Sequence, residues 1–370
     1  MSPDVQLWAQ LQRVGEEVGL DALGVAGAEV FESTLADLRS RKDQGLHADM
    51  QFTYRNPERS TDPTRHLPDA RSLVVGALSY LRDPDGAELE GPAGRVARYV
   101  WEDHYRDLRS KLGVVAGVLA DAGWRTRILV DDNALVDREA AHRAGLGWYG
   151  KNANLLLPGR GSWFVLGSVL TDAPLPPATP MQDGCGTCTR CLTSCPTDAI
   201  VAPGTIDANR CLAWLVQAKG TFPAEYREAL GDRIYGCDDC QEVCPPNRRQ
   251  ARQVVHLSSP ARRPWVPLLE ILAADDQTLL DRYGVWYIPG REARYLRRNA
   301  ILALANTADG TDVAVRDAVR VALDSEDGML RAHAVWAAKR LGCGDLLAAV
   351  AGDSEPDVVA ELARDVSPAG

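Results

Sequence analysis

Residues 185–199 read CGTCTRCLTSCPTDA, and they decide how the chain is to be understood. Cys185, Cys188, Cys191 and Cys195 stand at the spacing C-x2-C-x2-C-x3-C-P. Two-residue gaps let three thiolates converge on three irons of one 4Fe–4S cubane, while the fourth, ahead of a proline, turns away to serve a second cluster. A later run, CDDCQEVCP, supplies Cys237, Cys240 and Cys244. Two cubanes need eight thiolates and these runs give seven, so Cys211 in NRCLAWL is the remaining nearby candidate. The arithmetic gives one cluster on Cys185, Cys188, Cys191 and Cys244, and another on Cys195, Cys211, Cys237 and Cys240. A pair of structural zinc sites is the bland alternative for the set, and a buried thiol is the alternative for Cys211 alone. Cys343, far from the rest, reads as a small buried hydrophobe.

Composition agrees with this reading. The chain has 370 residues, a length that suggests two to three domains. Hydrophobic residues make up 45% and charged residues 25%, the mix of an ordinary globular protein rather than a disordered or fibrous one. No apolar run reaches the length of a membrane span, and the opening MSPDVQLWAQLQRVGEEVG is amphipathic and acidic, unlike a secretory signal. We therefore expect a cytoplasmic protein with no membrane partner. In a reducing compartment, eight of nine cysteines packed between 185 and 244 point to metal or redox chemistry rather than to disulfides. The net charge of −10 argues against non-specific coating of nucleic acid but permits a local basic patch.

Outward from the cysteines, the pattern changes on both sides. Val5, Trp8, Leu11, Val14 and Val18 recur at helical spacing, predicting a helix that ends near Gly19. SLVVGALSY from Ser72, RTRILVD from Arg125 and WFVLGSVL from Trp163 read as strands, with a helix over YRDLRSKLGVVAGVLADAG between the first two. This alternation predicts an α/β layer in residues 1–180, and the proline-rich stretch from Thr171 to Gly184 reads as a linker. Residues 181–255 form a ferredoxin-type module for the two clusters. Residues 256–370 turn alanine- and leucine-rich, and NAILALAN, TDVAVRDAVRVALD and GMLRAHAVWAAKRL predict successive helices; DSE recurs at Asp324 and Asp353, each time read as opening a helical stretch. An all-α HEAT-like stack fits that pattern, and an ordinary helical cap is the alternative.

Asp131 follows the strand ending at Val130, at a carboxyl end where open α/β sheets bind ligands. Asp132 or Asn133 is expected to cap the next helix, and Gly145 to end it. Capping or turn-making is the default role for such an aspartate.

At this point the sequence resembles the epoxyqueuosine reductase family. The resemblance runs through VD-x4-VDR-x2-A-x2-AGLGW-x-GKN, the C-x2-C-x2-C-x3-CPT-x-A run, RIYGCDDCQEVCP and RRNAILALAN, in order and over nearly the whole chain. It implies an N-terminal cobalamin-binding α/β region, two 4Fe–4S clusters and a HEAT-like C-terminal domain. It also implies reduction of the epoxide of epoxyqueuosine at the wobble position of tRNA, the last step of queuosine synthesis. Asp131 matches the family's proton donor; Asp132 stands as an alternative, because the sequence reads Asp132-Asn133 where many relatives have Thr-Gly. Asp137 looks like a structural acid. Arg59 in PERSTDP, Leu155, Leu166, Ala213 and Asp238 fall where the family contacts the cofactor. No D-x-H-x-x-G stretch is present, and the six histidines are scattered, so no histidine-ligated cobalamin is expected.

The implied chemistry consumes two electrons and two protons and releases water. A nucleophilic reduced cobalamin would open the ring, a carboxylic acid of raised pKa would protonate the departing alkoxide, and the clusters would return electrons. The implied partners are a tRNA with a GUN anticodon and a low-potential electron donor, and we expect a monomer. Lys219 matches a family position near tRNA. Arg248, Arg249, Arg252, Arg262, Arg263, Arg291, Arg294, Arg297 and Arg298 concentrate basic charge late in the chain, where each alone is by default a solvated residue. A dehalogenase-like corrinoid reductase and a non-catalytic iron–sulfur electron carrier are the rivals. The first lacks its usual twin-arginine signal here, and the second would hold no corrinoid.

Overall fold

The computed structural model describes residues 3–82, 89–252 and 264–368. The expected boundary at 255/256, Arg262 and Arg263 lie outside the described residues. The chain falls into two compact units, each built from separate stretches: Met1–Asp83, Glu102–Asn209 and Asp239–Ser258 in one, Pro84–Trp101, Arg210–Asp238 and Ser259–Gly370 in the other.

The first unit is organised by helix α1 (Pro3–Glu17), strands β1 (Ala22–Gly27) and β2 (Ser72–Ser79), helix α2 (His104–Asp121), strand β3 (Thr126–Val130), helix α3 (Asp137–Arg143) and strand β4 (Phe164–Thr171). The strands form one sheet in the order β1-β2-β4-β3. Strands β2 and β4 are buried along nearly their whole length, as continuous apolar runs must be when helices cover both faces of a sheet. Leu73, Val75, Ala77, Leu166 and Leu170 face Ala140 and Ala141 of α3. The opposite face receives α2. There Gly76 and Gly167 are register partners, and a Cβ at either would come within 3.0 Å of Leu112. Missing Cβ atoms on two adjacent strands therefore make the seat into which α2 buries Leu108 and Leu112, each worth about 1.5–3 kcal/mol. Gly167→Ala would break that seat, since its Cβ would also sit 2.6 Å from Val130.

All three pairings in this sheet are antiparallel. The expectation that Asp131 sits at a ligand-binding edge because of the carboxyl-end rule is thereby corrected: that rule belongs to parallel, doubly wound sheets. Asp131 must be judged on its own surroundings. Strand β1 and the helix Glu32–Asp43 also escaped the sequence reading, the first because ALGVAG is short and glycine-rich, the second because Leu38 is its only buried residue.

The second unit pairs Ala93–Val96 with Arg233–Tyr235 on one side, parallel, and with Trp265–Pro267 on the other, antiparallel. Helices α4 (Arg294–Thr307), α5 (Val313–Leu323), α6 (Gly328–Arg340) and α7 (Pro356–Ala363) follow where the periodicity predicted helices. The side chains of Asp312 and Asp327 cap α5 and α6, worth about 1 kcal/mol each. Asp324 closes α5 rather than opening a helix, and Asp353 accepts from the Glu355 amide just ahead of α7. Val315, Val319 and Leu323 of α5 join Val335 and Ala338 of α6 and Val358 of α7 in one core, in which Cys343 is fully buried. Among the described residues no helix is long and apolar enough to cross a membrane.

Candidate active site and iron–sulfur ligands

Asp131 leaves strand β3 in the left-handed region, at φ 51°, a conformation that aspartate tolerates better than most residues. Arg109, on α2, fixes the strand end by donating to the Val130 carbonyl at 2.6 Å. The turn is completed by Asp132, whose carboxylate accepts from the Ala134 amide at 2.9 Å. The helix that follows has Val136 at its N-cap, so neither Asp132 nor Asn133 caps it: Asp132 is used inside the turn. Gly145, at φ 69°, ends it as expected.

The Asp131 side chain is open to solvent on one side and makes no hydrogen bond to another described residue. The protein packed around it nevertheless raises its carboxyl pKa through desolvation; Arg109 opposes the shift, and Asp132 and Asp103 add to it. Asp137, the first residue of α3, is raised further, mainly by burial and next by Asp131. Two acids thus flank one turn, both biased toward the protonated form.

Arg59 belongs to the same neighbourhood. Its short helix, Pro57–Ser60, is stitched to the turn because Ser60 Oγ donates to the Asn133 carbonyl at 2.7 Å and the Val136 amide donates to Ser60 O at 3.0 Å. The Arg59 side chain is exposed. Leu155 and Leu166 lie in the core beside Ala134 and Leu135, so their side chains are spent on packing and only backbone atoms remain for a ligand. Ala213 and Asp238 belong to the other unit. Ala213 O accepts from Gln217, and the buried Asp238 carboxylate accepts from the Arg98 amide at 2.7 Å.

Sequence reasoning missed two groups on α2, of which Arg109 acts on Asp131. Arg109 supplies the opposing positive charge. His104, at the start of α2, is buried with Nε2 lacking a hydrogen-bond partner among the described residues, and burial followed by Arg82 pushes its pKa down to about 4. Neither belongs to a sequence motif; only the packing of α2 reveals them.

The cysteines Cys185, Cys188, Cys191, Cys195, Cys211, Cys237, Cys240 and Cys244 are all half-buried. Burial raises the Cys244 thiol to about 11 against a backbone hydrogen bond at Asn247, and the thiols that add to the shift are Cys185, Cys191 and Cys188. Burial raises Cys191 as well, with Cys185 and Cys188 contributing. Among the described residues no three His, Cys, Asp or Glu side chains converge tightly enough for a single metal ion. A cubane, whose thiolates bind different irons, makes no such demand. Cys195 Sγ accepts from the Ala199 amide at 3.2 Å, an N–H···S contact of the kind that stabilises ligating thiolates. The loop of Cys240 and Cys244 is held from behind: Asn152 donates to Cys240 O, and Asn247 and Gln241 share the Ser162 hydroxyl.

Residues 184–247 match the family described as a 4Fe-4S double cluster binding domain, a span that contains all eight clustered cysteines. The chain is 34% identical to the epoxyqueuosine reductase of Bacillus cereus, with 91% of this chain and 90% of that protein aligned. It is 33% identical to that of Escherichia coli over 90% and 89% of the two.

This chain belongs to the epoxyqueuosine reductase family.

Solved structures of that family agree over 96% of the chain. A crystal structure of epoxyqueuosine reductase with an epoxyqueuosine-modified tRNA-Tyr stem loop superposes with a TM-score of 0.87 at 30% identity, covering 96% of this chain and 97% of that one. The Bacillus subtilis epoxyqueuosine reductase with its catalytic loop swung out of the active site gives 0.86 over the same shares.

The basic residues separate sharply in this family member. Lys219 and Arg248 are exposed. Arg291 is exposed too, although one of its Nη groups donates to Gly284 O at 2.6 Å. Arg297 is engaged by Asp276 and by the Ala274 carbonyl. Arg298 is fully buried, with its guanidinium on the carbonyls of Leu215, Val216, Ala218 and Gly220. The reading of Arg298 as a tRNA contact is corrected on that ground: its N–H groups are already committed inside the protein.

Proposed function

We propose that this chain reduces epoxyqueuosine in tRNA to queuosine, with Asp131 as the proton donor, cobalamin as the resident cofactor and two 4Fe–4S clusters as the electron supply. The observation that carries the reading is the Asp131 carboxyl, whose pKa desolvation raises and which accepts no hydrogen bond from another described residue. Asp132 is the weaker candidate because its carboxylate is committed to the Ala134 amide.

The residues present fit the implied groups. Cys185, Cys188, Cys191 and Cys244 take one cluster, and Cys195, Cys211, Cys237 and Cys240 take the other. Around Asp131 the fit to cobalamin lies in an exposed Arg59 beside the turn and in backbone atoms at Leu155 and Leu166, with Ala213 and Asp238 as further contacts. When bound, cobalamin supplies a low-potential cobalt nucleophile for carbon–oxygen cleavage, and the clusters supply electrons from a low-potential donor. The protein's own part is then to hold a proton at the Asp131 carboxyl and deliver it to the oxygen that leaves carbon. Arg109 keeps the second ionisation state accessible, since its charge opposes the desolvation of the carboxylate.

We assign cobalamin mainly to residues 1–180, the clusters to 181–255 and the docking of tRNA in part to a HEAT-like stack over 256–370; these three regions are divisions of the sequence, since 210–238 belong to one compact unit and the rest of 181–255 to the other. Lys219, Arg248 and Arg291, exposed and basic, are the phosphate contacts we assign. A splayed anticodon base is required, because a stacked one could not bring its epoxide to a cofactor. Mass spectrometry of tRNA nucleosides from cells lacking the protein tests the reading: accumulated epoxyqueuosine supports it, and unchanged queuosine overturns it. Anaerobically purified protein that carries iron but takes up no corrinoid would instead favour a simple electron carrier.

A further inference from the structure

The fully buried Arg298 is an unusual use of a guanidinium. Among the described residues no carboxylate pairs with it; its N–H groups are met by carbonyl and amide oxygens. Nη1 donates to Ala218 O at 2.8 Å and Gly220 O at 2.7 Å, Nη2 to Leu215 O at 3.1 Å and Val216 O at 3.3 Å, and Nε to Asn299 Oδ1 at 3.1 Å. Asn299, also buried, uses its amide to donate to Val216 O at 2.8 Å and Ile234 O at 3.1 Å. These carbonyls come from two segments. The first is the end of the short helix Leu212–Leu215, whose N-cap is Cys211. The second is the strand Arg233–Tyr235, which ends two residues before Cys237. Cys237 itself packs on the apolar cluster of Leu212, Leu215, Phe222 and Tyr295, and the Arg298 guanidinium lies over the rings of Phe222 and Tyr295.

We propose that Arg298 and Asn299 are positioning residues for the second iron–sulfur cluster, clamping the segments that present Cys211 and Cys237. The physical reason is geometric. The carbonyls of Leu215, Val216, Ala218 and Gly220 lie at and just beyond the end of a one-turn helix, where only Leu215 O accepts from a backbone amide, that of Ala218 at 3.3 Å, and a planar fork of five N–H donors engages all four in one fixed arrangement. Lysine, with three donors at a single point, cannot reproduce it. The proposal rests on the assignment of Cys211 and Cys237 to a common cluster.

The test uses the full chain, reconstituted anaerobically with iron and sulfide, with Cys211→Ser as the reference variant. Iron content and the EPR spectrum of the dithionite-reduced protein are read for Arg298→Lys and Asn299→Ala, beside a thermal melt of each. The expected result is loss or a shifted line shape of one cluster's signal, the same one that Cys211→Ser removes, and iron falling from about eight toward about four per chain. The signal of the cluster on Cys185, Cys188, Cys191 and Cys244 stays as in the parent. Variants that melt earlier yet keep both signals unchanged overturn the proposal, leaving Arg298 a purely structural residue; so does equal loss of both signals. If Arg298→Lys does not fold, Asn299→Ala decides alone. Should Cys211→Ser leave both signals intact, the ligand assignment fails first, and that failure is seen without reference to Arg298.

Discussion

The turn after β3 and the first turns of α4 treat charge in opposite ways. At the turn, the Asp131 side chain has no hydrogen bond to another described residue and its neighbour Asp137 is driven toward the neutral form, so charge there is poised to change. In α4 and its surroundings, Arg298 has its donors filled, Arg227 pairs with Glu361 at 2.8 Å with both side chains buried, and His333 is locked between the Phe222 amide and the Met329 carbonyl. Saturated polar groups fix a conformation. Unsaturated ones, in a desolvated setting, are where protons move.

The sharpest way to break this contrast is Asp131→Asn. It should lower turnover of epoxyqueuosine-tRNA by about 10²–10⁴-fold while leaving the iron content and corrinoid binding as in the parent. Single-turnover kinetics on reconstituted protein reads this directly, and a rate within a few-fold of the parent would strip Asp131 of its role. The pH profile carries the same sign: because the donor is the protonated form and its pKa is raised, the rate should fall as pH climbs through that raised value.

Glu361→Ala attacks the saturated side. Leaving the buried Arg227 charge unpaired should cost about 3–5 kcal/mol of stability, measured as a lower denaturant midpoint. A change under about 1 kcal/mol would mean that the pair is solvated, like a surface pair.

Asp137→Asn should stabilise the protein at neutral pH. The folded chain holds a proton on Asp137 that the unfolded chain releases near the ordinary value of 3.8, so stability declines as pH rises from there through the raised pKa. Asparagine keeps the shape and removes that slope. Thermal melts across pH would contradict this if parent and variant ran parallel.

The smallest effect is expected for Arg248→Ala, an exposed cation. Affinity for tRNA should weaken modestly and the salt dependence of binding should drop by about one counterion, whereas an unchanged slope would remove Arg248 from the interface.

Much of this protein could be read in one dimension. Cluster ligands sit at fixed short spacings because a cubane is small, so C-x2-C-x2-C-x3-C-P announces itself in any chain. The strands at Ser72, Arg125 and Trp163 and the helices α5 and α6 were equally visible, since their apolar patterns are strong. Strand β1 was not, because two glycines and two alanines leave little pattern to see. Arg298 gave a signal that was overlooked: it lies with Tyr295, Leu302 and Ala305 at helical spacing, on an apolar stripe, while the adjacent Arg297 turns to Asp276 and the Ala274 carbonyl.

The sequence by itself determined which chemistry the chain carries, because thiolate spacing and the VDDNALVDR motif are local properties. Tertiary structure alone decided which charges are available for it. Whether a carboxyl keeps its proton or a guanidinium meets solvent depends on what packs around it, and those neighbours, Arg109 for Asp131 and the carbonyls of residues 215–220 for Arg298, are distant in sequence.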